Sequence, residues 1–175
     1  IRFDLRDGRR ELLAPLEADR PDTRSNDGRA DPHGGFWIGT MAHDASPERG
    51  AIYRYYRGEL RQLRGGVSIP NAICFSPDGR LAYFADTALQ TVWSQDLDDE
   101  GWPAAEAQVF LDLSGTDEHP DGAVTDSQGR FWNARWGSGA VVCHPPDGHE
   151  VHRPQLPTVQ ASCPAQHGTD TACLL

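Results

Sequence analysis

The sequence predicts an all-β chain folded as part of a β-propeller. Helix signals are almost absent: 18 Gly and 13 Pro punctuate 175 residues roughly every ten positions. Short β-type runs lie between these breaks, the pattern of a sandwich, barrel or propeller. A turn-plus-strand unit that recurs three times separates these options.

Taken in order, the first unit is Asp31–Thr40, in which Asp-Pro-His-Gly leads into Gly35–Gly39 with its Phe-Trp-Ile core. A second strand follows at Ala51–Tyr56. The next unit, Ser76–Thr87, repeats the polar turn and continues through Leu81–Ala85, with Thr91–Ser94 as its second strand. The last, Asp126–Ala134, runs through Phe131–Ala134, and Ala140–Cys143 follows. The turn glycines Gly34, Gly79 and Gly129 are 45 and 50 residues apart. Four short strands occupy about 40–50 residues in a propeller blade. Each turn glycine is expected at positive φ, where a Cβ is penalised.

Composition narrows the function. The formal net charge of −10 disfavours nucleic-acid binding, because an acidic chain repels phosphate backbones. No run approaches the ~18 apolar residues of a spanning helix, and Ile1–Gly8 has no apolar signal-peptide core. With 38% apolar residues and 5 Trp the chain can build a core. All 16 basic residues are Arg, so lysine imine chemistry is excluded.

The four cysteines, Cys74, Cys143, Cys163 and Cys173, form no Cys-x-x-Cys pair. Cys74 and Cys143 sit in apolar alternating stretches and read as buried free thiols, which suits a reducing, cytoplasmic compartment. His33, His144, His149 and His152 are scattered and are expected to be solvated. His119, two residues before Asp121, is placed near the channel mouth. A Gly-x-Ser-x-Gly elbow and a Gly-x-Gly-x-x-Gly element are both missing, which disfavours a serine hydrolase and a dinucleotide enzyme.

Three polar clusters interrupt the strand pattern: Arg24–Pro32, Pro70–Gly79 and His119–Asp126. In the last two, Pro fixes the direction in which the next side chain, Asn71 or Asp121, is presented. These two residues are 50 apart, one repeat, and would project into the channel from neighbouring blades. Oxygens from both suit a hard divalent cation, while simple turn capping explains the same residues equally well on spacing alone. Arg24 could instead pair with Asp27 or Asp31, and Asn26 could form an Asx turn. Asp86, at a strand end, reads as a structural hydrogen-bond acceptor.

At these residues the chain resembles the sugar lactonases related to gluconolactonase and regucalcin (senescence marker protein). The segment Arg24 to Met41 resembles that family's most characteristic motif. Ile69-Pro70-Asn71 with Phe75–Gly79 and Asp86-Thr87 resembles the next, and Pro120-Asp121-Gly122 with Asp126, Gly129 and Trp132 the third. The likeness spans about residues 20 to 164. It implies a six-bladed propeller with one divalent metal in its channel (Ca, Zn, Mn, Mg or Fe(II)), held by Asn71, Asp121 and a glutamate that has no counterpart here. It implies substrate contacts at Arg24, Asn26 and, by spacing, Asp44, where some relatives have Glu. The implied reaction is hydrolysis of a sugar lactone such as glucono-, xylono- or arabinonolactone. The metal would activate water and the lactone carbonyl, with Asp121 as general base. A non-catalytic calcium-binding propeller and a phosphotriesterase-like hydrolase are the alternatives.

Six blades at about 45 residues need roughly 270, so 175 residues cover nearly four. The expectation is therefore a partial propeller over residues 1–165 with a divergent, unordered tail at 166–175. An open arc has unpaired faces and an incomplete metal shell, which predicts weak stability and no turnover by this chain alone.

Overall fold

A computed structural model describes residues 1–167 and 172–174. All the regular structure among them is β. A short ladder pairs β1 (Arg2–Phe3) with β2 (Arg10–Glu11). The first blade is a four-stranded antiparallel meander of β3 (Thr23–Ala30), β4 (Phe36–Ala42), β5 (Gly50–Tyr56) and β6 (Glu59–Val67). The second repeats the plan with β7 (Pro70–Phe75), β8 (Leu81–Asp86), β9 (Thr91–Asp96) and β10 (Gln108–Asp112).

The third blade holds β11 (His119–Thr125), β12 (Phe131–Trp136) and β13 (Ala140–His144). Its outer edge is lined by isolated bridges from Cys143 to His152 and from Ala140 to Gln155. A final ladder pairs β14 (Ala165–His167) with β15 (Ala172–Leu174). The remainder of the tail expected to be unordered, 168–171 and 175, lies outside the described residues. Three blades and two terminal ladders are an incomplete arc of a six-bladed propeller.

The recurring turn has one physical basis. The Asp31 Oδ1 accepts from the backbone N–H of His33 and Gly35 at 2.9 and 2.8 Å. Asp126 Oδ1 does the same for Gln128 and Arg130, both at 2.9 Å. In the middle copy, Ser76 and Asp78 share the task. Gly34, Gly79 and Gly129 have φ of 85°, 71° and 75°, the left-handed region the sequence predicted. A carboxylate or hydroxyl thus satisfies the turn amides while glycine reverses the chain into the aromatic strand.

The inner strands β3, β7 and β11 lie side by side. Every residue of β7 is buried, because this strand is covered by a blade on each side. Between the first two blades pack Trp37, Ile52, Ile73, Phe75 and Phe84, with Trp37 edge-on to Phe75 at 5.5 Å. Between the second and third pack Cys74, Tyr83, Val92, Ala123 and Phe131, with Tyr83 and Phe131 centroids 5.0 Å apart. Trp132, Val141, Cys143 and Ala161 form a third cluster on the far side of β12. Cys74 and Cys143 are buried, as expected.

His144 differs from expectation. It is the last residue of β13 and is buried. Its Nε2 lies 2.9 Å from Arg135 Nη2 and its Nδ1 3.0 Å from the Gly148 carbonyl. A guanidinium only donates, so Nε2 accepts and the proton resides on Nδ1. Burial, and then the Arg135 charge, push its pKa down.

Candidate active site at the channel mouth

Each inner strand carries a register shift at the same end. In β3 it falls between Ser25 and Gly28, in β7 between Asn71 and Cys74, in β11 between Pro120 and Ala123. Such bulges bend a strand and re-aim its side chains. Ala72 in the β7 bulge sits at φ 58° although it has a Cβ and is fully buried, a costly conformation retained where the chain must turn its neighbours outward. The bulges bring Asn26, Asp27, Asn71 and Asp121 to one cavity of about 700 Å³. Arg24, Met41, Thr87, His119 and Trp136 complete much of its wall.

A chain of hydrogen bonds crosses the blades at this wall. Arg24 Nη1 donates to the Asn26 Oδ1 at 3.1 Å. Asn26 Nδ2 donates to the Pro70 carbonyl at 3.0 Å and to Asn71 Oδ1 at 3.2 Å. Asn71 Nδ2 donates to Thr87 Oγ1 at 2.8 Å, and that hydroxyl donates to the Pro120 carbonyl at 2.6 Å. Asn133 Nδ2 donates to the Asp121 and Gly122 carbonyls at 2.8 and 3.1 Å. Below the cavity, Arg29 on β3 reaches the Ile73 carbonyl at 3.1 Å and the Ala123 carbonyl at 2.9 Å, tying the three inner strands together.

Two carboxylates face this space. Burial, together with the charge of Asp27, raises Asp121 to about 6, against one lowering contact from the Gly122 amide. Asp27 is raised by burial, though Ile73 N–H and Gly28 N–H each donate to it at 2.8 Å. The sequence offers Asp27 only as a possible partner of Arg24; its place at this site rests on the bond to Ile73, 46 positions away. Arg24 pairs with neither Asp27 nor Asp31; the partner of Asp31 is Arg54. Asp44 lies apart, exposed in the turn after β4, with its carboxylate accepting from Ser46 N–H at 3.0 Å. Asp86 is a structural acceptor, receiving Ser68, Ile69 and Ala88 N–H at 2.7, 3.1 and 3.1 Å.

The donor set fits a hard divalent cation in kind. A half-buried carboxylate raised by desolvation and by a neighbouring carboxylate's charge is relieved by a nearby positive charge, and amide and carboxylate oxygens are the ligands divalent ions take. Among the described residues no three His, Cys, Asp or Glu side chains gather closely enough to enclose an ion, so the set is a partial shell.

The backbone behind the site is closely packed. A Cβ on Gly39 would stand 2.4 Å from Pro70 Cγ, so β4 needs glycine where the proline before Asn71 rests on it. Gly39 is not at positive φ, so the cost of a side chain there is steric. Gly39→Ala is expected to lower unfolding stability by about 1–3 kcal/mol in urea titrations. An unchanged midpoint would mean that Pro70 is not seated against Gly39.

This is a propeller with an acidic, amide-lined pocket at its channel mouth. The whole chain, residues 1–175, matches the SMP-30/Gluconolactonase/LRE-like region, and the chain belongs to that family. It is 37% identical over 171 residues to an L-arabinolactonase of Azospirillum brasilense, covering 95% of this chain and 56% of that one. It is 36% identical over 165 residues to a pentonolactonase of Haloferax volcanii, covering 94% and 55%. It superposes with a TM-score of 0.92 on the crystal structure of a calcium-binding protein, regucalcin, from Agrobacterium tumefaciens, at 44% identity over 96% of this chain and 57% of that one. The chain spans about half the length of the relatives it matches. Among the described residues no helix is long and apolar enough to cross a membrane.

Proposed function

We propose that these blades belong to a hydrolase of sugar lactones. The observation that carries the reading is the convergence of Arg24, Asn26, Asn71 and Asp121 on one cavity, with Asp121 held near neutrality. The names of the lactonase relatives support it. Asn71 and Asp121 would hold a divalent cation, which when bound supplies Lewis-acid polarisation and a more acidic water. Asp121 would act as the general base, taking a proton from a water at this site. Arg24 donates toward charge developing on the lactone carbonyl oxygen. Asn26 has its amide committed within the wall, so its part is to hold Asn71 and Arg24 in place. Trp136, 40% exposed on the cavity, offers a flat apolar face to a sugar ring. The buried thiols Cys74 and Cys143 suit a reducing, cytoplasmic setting.

The test is a panel of glucono-, xylono- and arabinonolactones, read by acid release, in a ring-length protein in which a relative's blades complete this arc. Acid release that stops with a chelator and returns with added divalent cation is the expected result. Tight calcium binding with no lactone opened would instead favour a non-catalytic calcium-binding propeller, the reading that the regucalcin neighbour supports.

A further inference from the structure

We propose that Thr87 is a positioning residue that fixes which atom of Asn71 faces the cavity; the inference rests on the reading of Asn71 as a cation ligand. An amide presents either an acceptor or two donors, and only its oxygen can face a cation. Which end faces inward is decided by what the other end meets. Here Nδ2 of Asn71 meets the Thr87 hydroxyl at 2.8 Å. That hydroxyl has one proton, and the Pro120 carbonyl takes it at 2.6 Å. Thr87 Oγ1 is therefore an acceptor toward Asn71, and the flipped amide would set two acceptors against each other. Asn26 reinforces the same choice by donating Nδ2 to Asn71 Oδ1 at 3.2 Å.

The position of Thr87 suits the role. It directly follows β8, where the Asp86 carboxylate anchors the strand end to Ser68 and Ile69. Its own backbone N–H donates to the Ile69 carbonyl at 3.0 Å, so the hydroxyl is aimed by a rigid frame. Through the Pro120 carbonyl it also touches the residue before Asp121, coupling the second blade's amide to the third blade's carboxylate. Partners of this kind orient metal ligands, and losing one typically costs 10–100-fold in affinity.

The experiment compares wild type, Thr87→Val and Thr87→Ser in the 175-residue chain. Valine keeps the shape and removes the hydroxyl; serine keeps the hydroxyl. Nuclear magnetic resonance reads hydrogen exchange of the Asn71 side-chain amide in metal-free protein, and then its paramagnetic broadening as manganese chloride is added. In Thr87→Val the amide protons should exchange at least about tenfold faster, and the manganese concentration for half-broadening should rise about 10–100-fold. Thr87→Ser should restore both. Thr87→Val with wild-type exchange, or with wild-type manganese response in a folded protein, overturns the positioning role and leaves the cation site standing. Wild type that does not respond to manganese overturns the cation reading and this inference with it. A loss of folding in Thr87→Val, seen in its amide spectrum, would assign Thr87 to stability and also refute the proposal.

Discussion

In the ring-length protein, replacing Asp121 by Asn is expected to lower the proposed lactone turnover by about three orders of magnitude, and in the 175-residue chain the same change is expected to raise stability at neutral pH. Burial, and then the charge of Asp27, hold the Asp121 carboxyl near 6 in the folded chain, against an ordinary value of 3.8. Below about pH 4 the group is protonated in both folded and unfolded states and contributes nothing to the pH dependence. Between about pH 4 and 6 the folded state binds the proton that the unfolded chain has released, so stability falls as pH rises. Above about 6 the group is charged in both states and the full penalty, up to about 3 kcal/mol, is present. Asparagine is neutral throughout and removes it. Thermal melts at pH 5 and pH 7 with a chelator present should show a smaller loss of stability on going to pH 7 in Asp121→Asn than in wild type. Some slope should persist, because Asp27 is raised as well. A variant less stable than wild type at pH 7, or one that retains turnover, would remove Asp121 from its assigned role. A cation competes with the same proton, so cation affinity should rise as pH increases through about 6.

What the sequence made legible was local. The Asp-x-x-Gly turns and the aromatic strands β4, β8 and β12 were readable because a carboxylate, a glycine and an alternating strand act within ten residues of one another. The inner strands were harder. In β3, Thr-Arg-Ser-Asn-Asp-Gly-Arg-Ala has no apolar alternation, because its side chains line the pocket or lie exposed. β6 and β10 are largely exposed outer strands, and carry little pattern for the same reason. Asn71 and Asp121 could be selected because a preceding proline marks the presented side chain. Asp27 could not be separated from a turn residue, since its bond to Ile73 joins positions 46 apart in the chain. His144 was read as solvated from its polar neighbours, whereas its environment is set by Arg135 across the ladder. Thr87 was visible only as the companion of Asp86; its bond to the Pro120 carbonyl belongs to the packing of one blade on the next.

The same kind of tertiary pairing yields the largest expected loss of stability, in Arg54→Ala. The Arg54 and Asp31 side chains are both fully buried, with Nε 2.7 Å from Oδ2. The guanidinium lies over the rings of Tyr56 and Trp102, 4.4 Å from each centroid, where the two rings meet edge to face, and Nη2 donates to the Glu100 carbonyl at 2.8 Å. One side chain thus joins the first blade to the Glu100–Trp102 loop between β9 and β10, while its partner Asp31 holds the turn that starts β4. Alanine would remove the stacking and leave a carboxylate buried without its counter-charge. Breaking one side of such a pair costs about 3–5 kcal/mol, against a total stability of about 5–15 kcal/mol for an ordinary domain. Lysine restores the charge but not the planar stack or the second donor, so Arg54→Lys should recover only part of the loss. The discriminating variant is Arg54→Met with Asp31→Asn. It leaves no buried charge, keeps an acceptor for the turn amides, and lays an apolar side chain against the two rings. Urea unfolding should find this double variant more stable than Arg54→Ala, because the desolvated carboxylate is the dominant cost. If the double variant is no better, the loss comes from the missing guanidinium contacts with Tyr56 and Trp102, and the ion pair contributes little beyond its own desolvation.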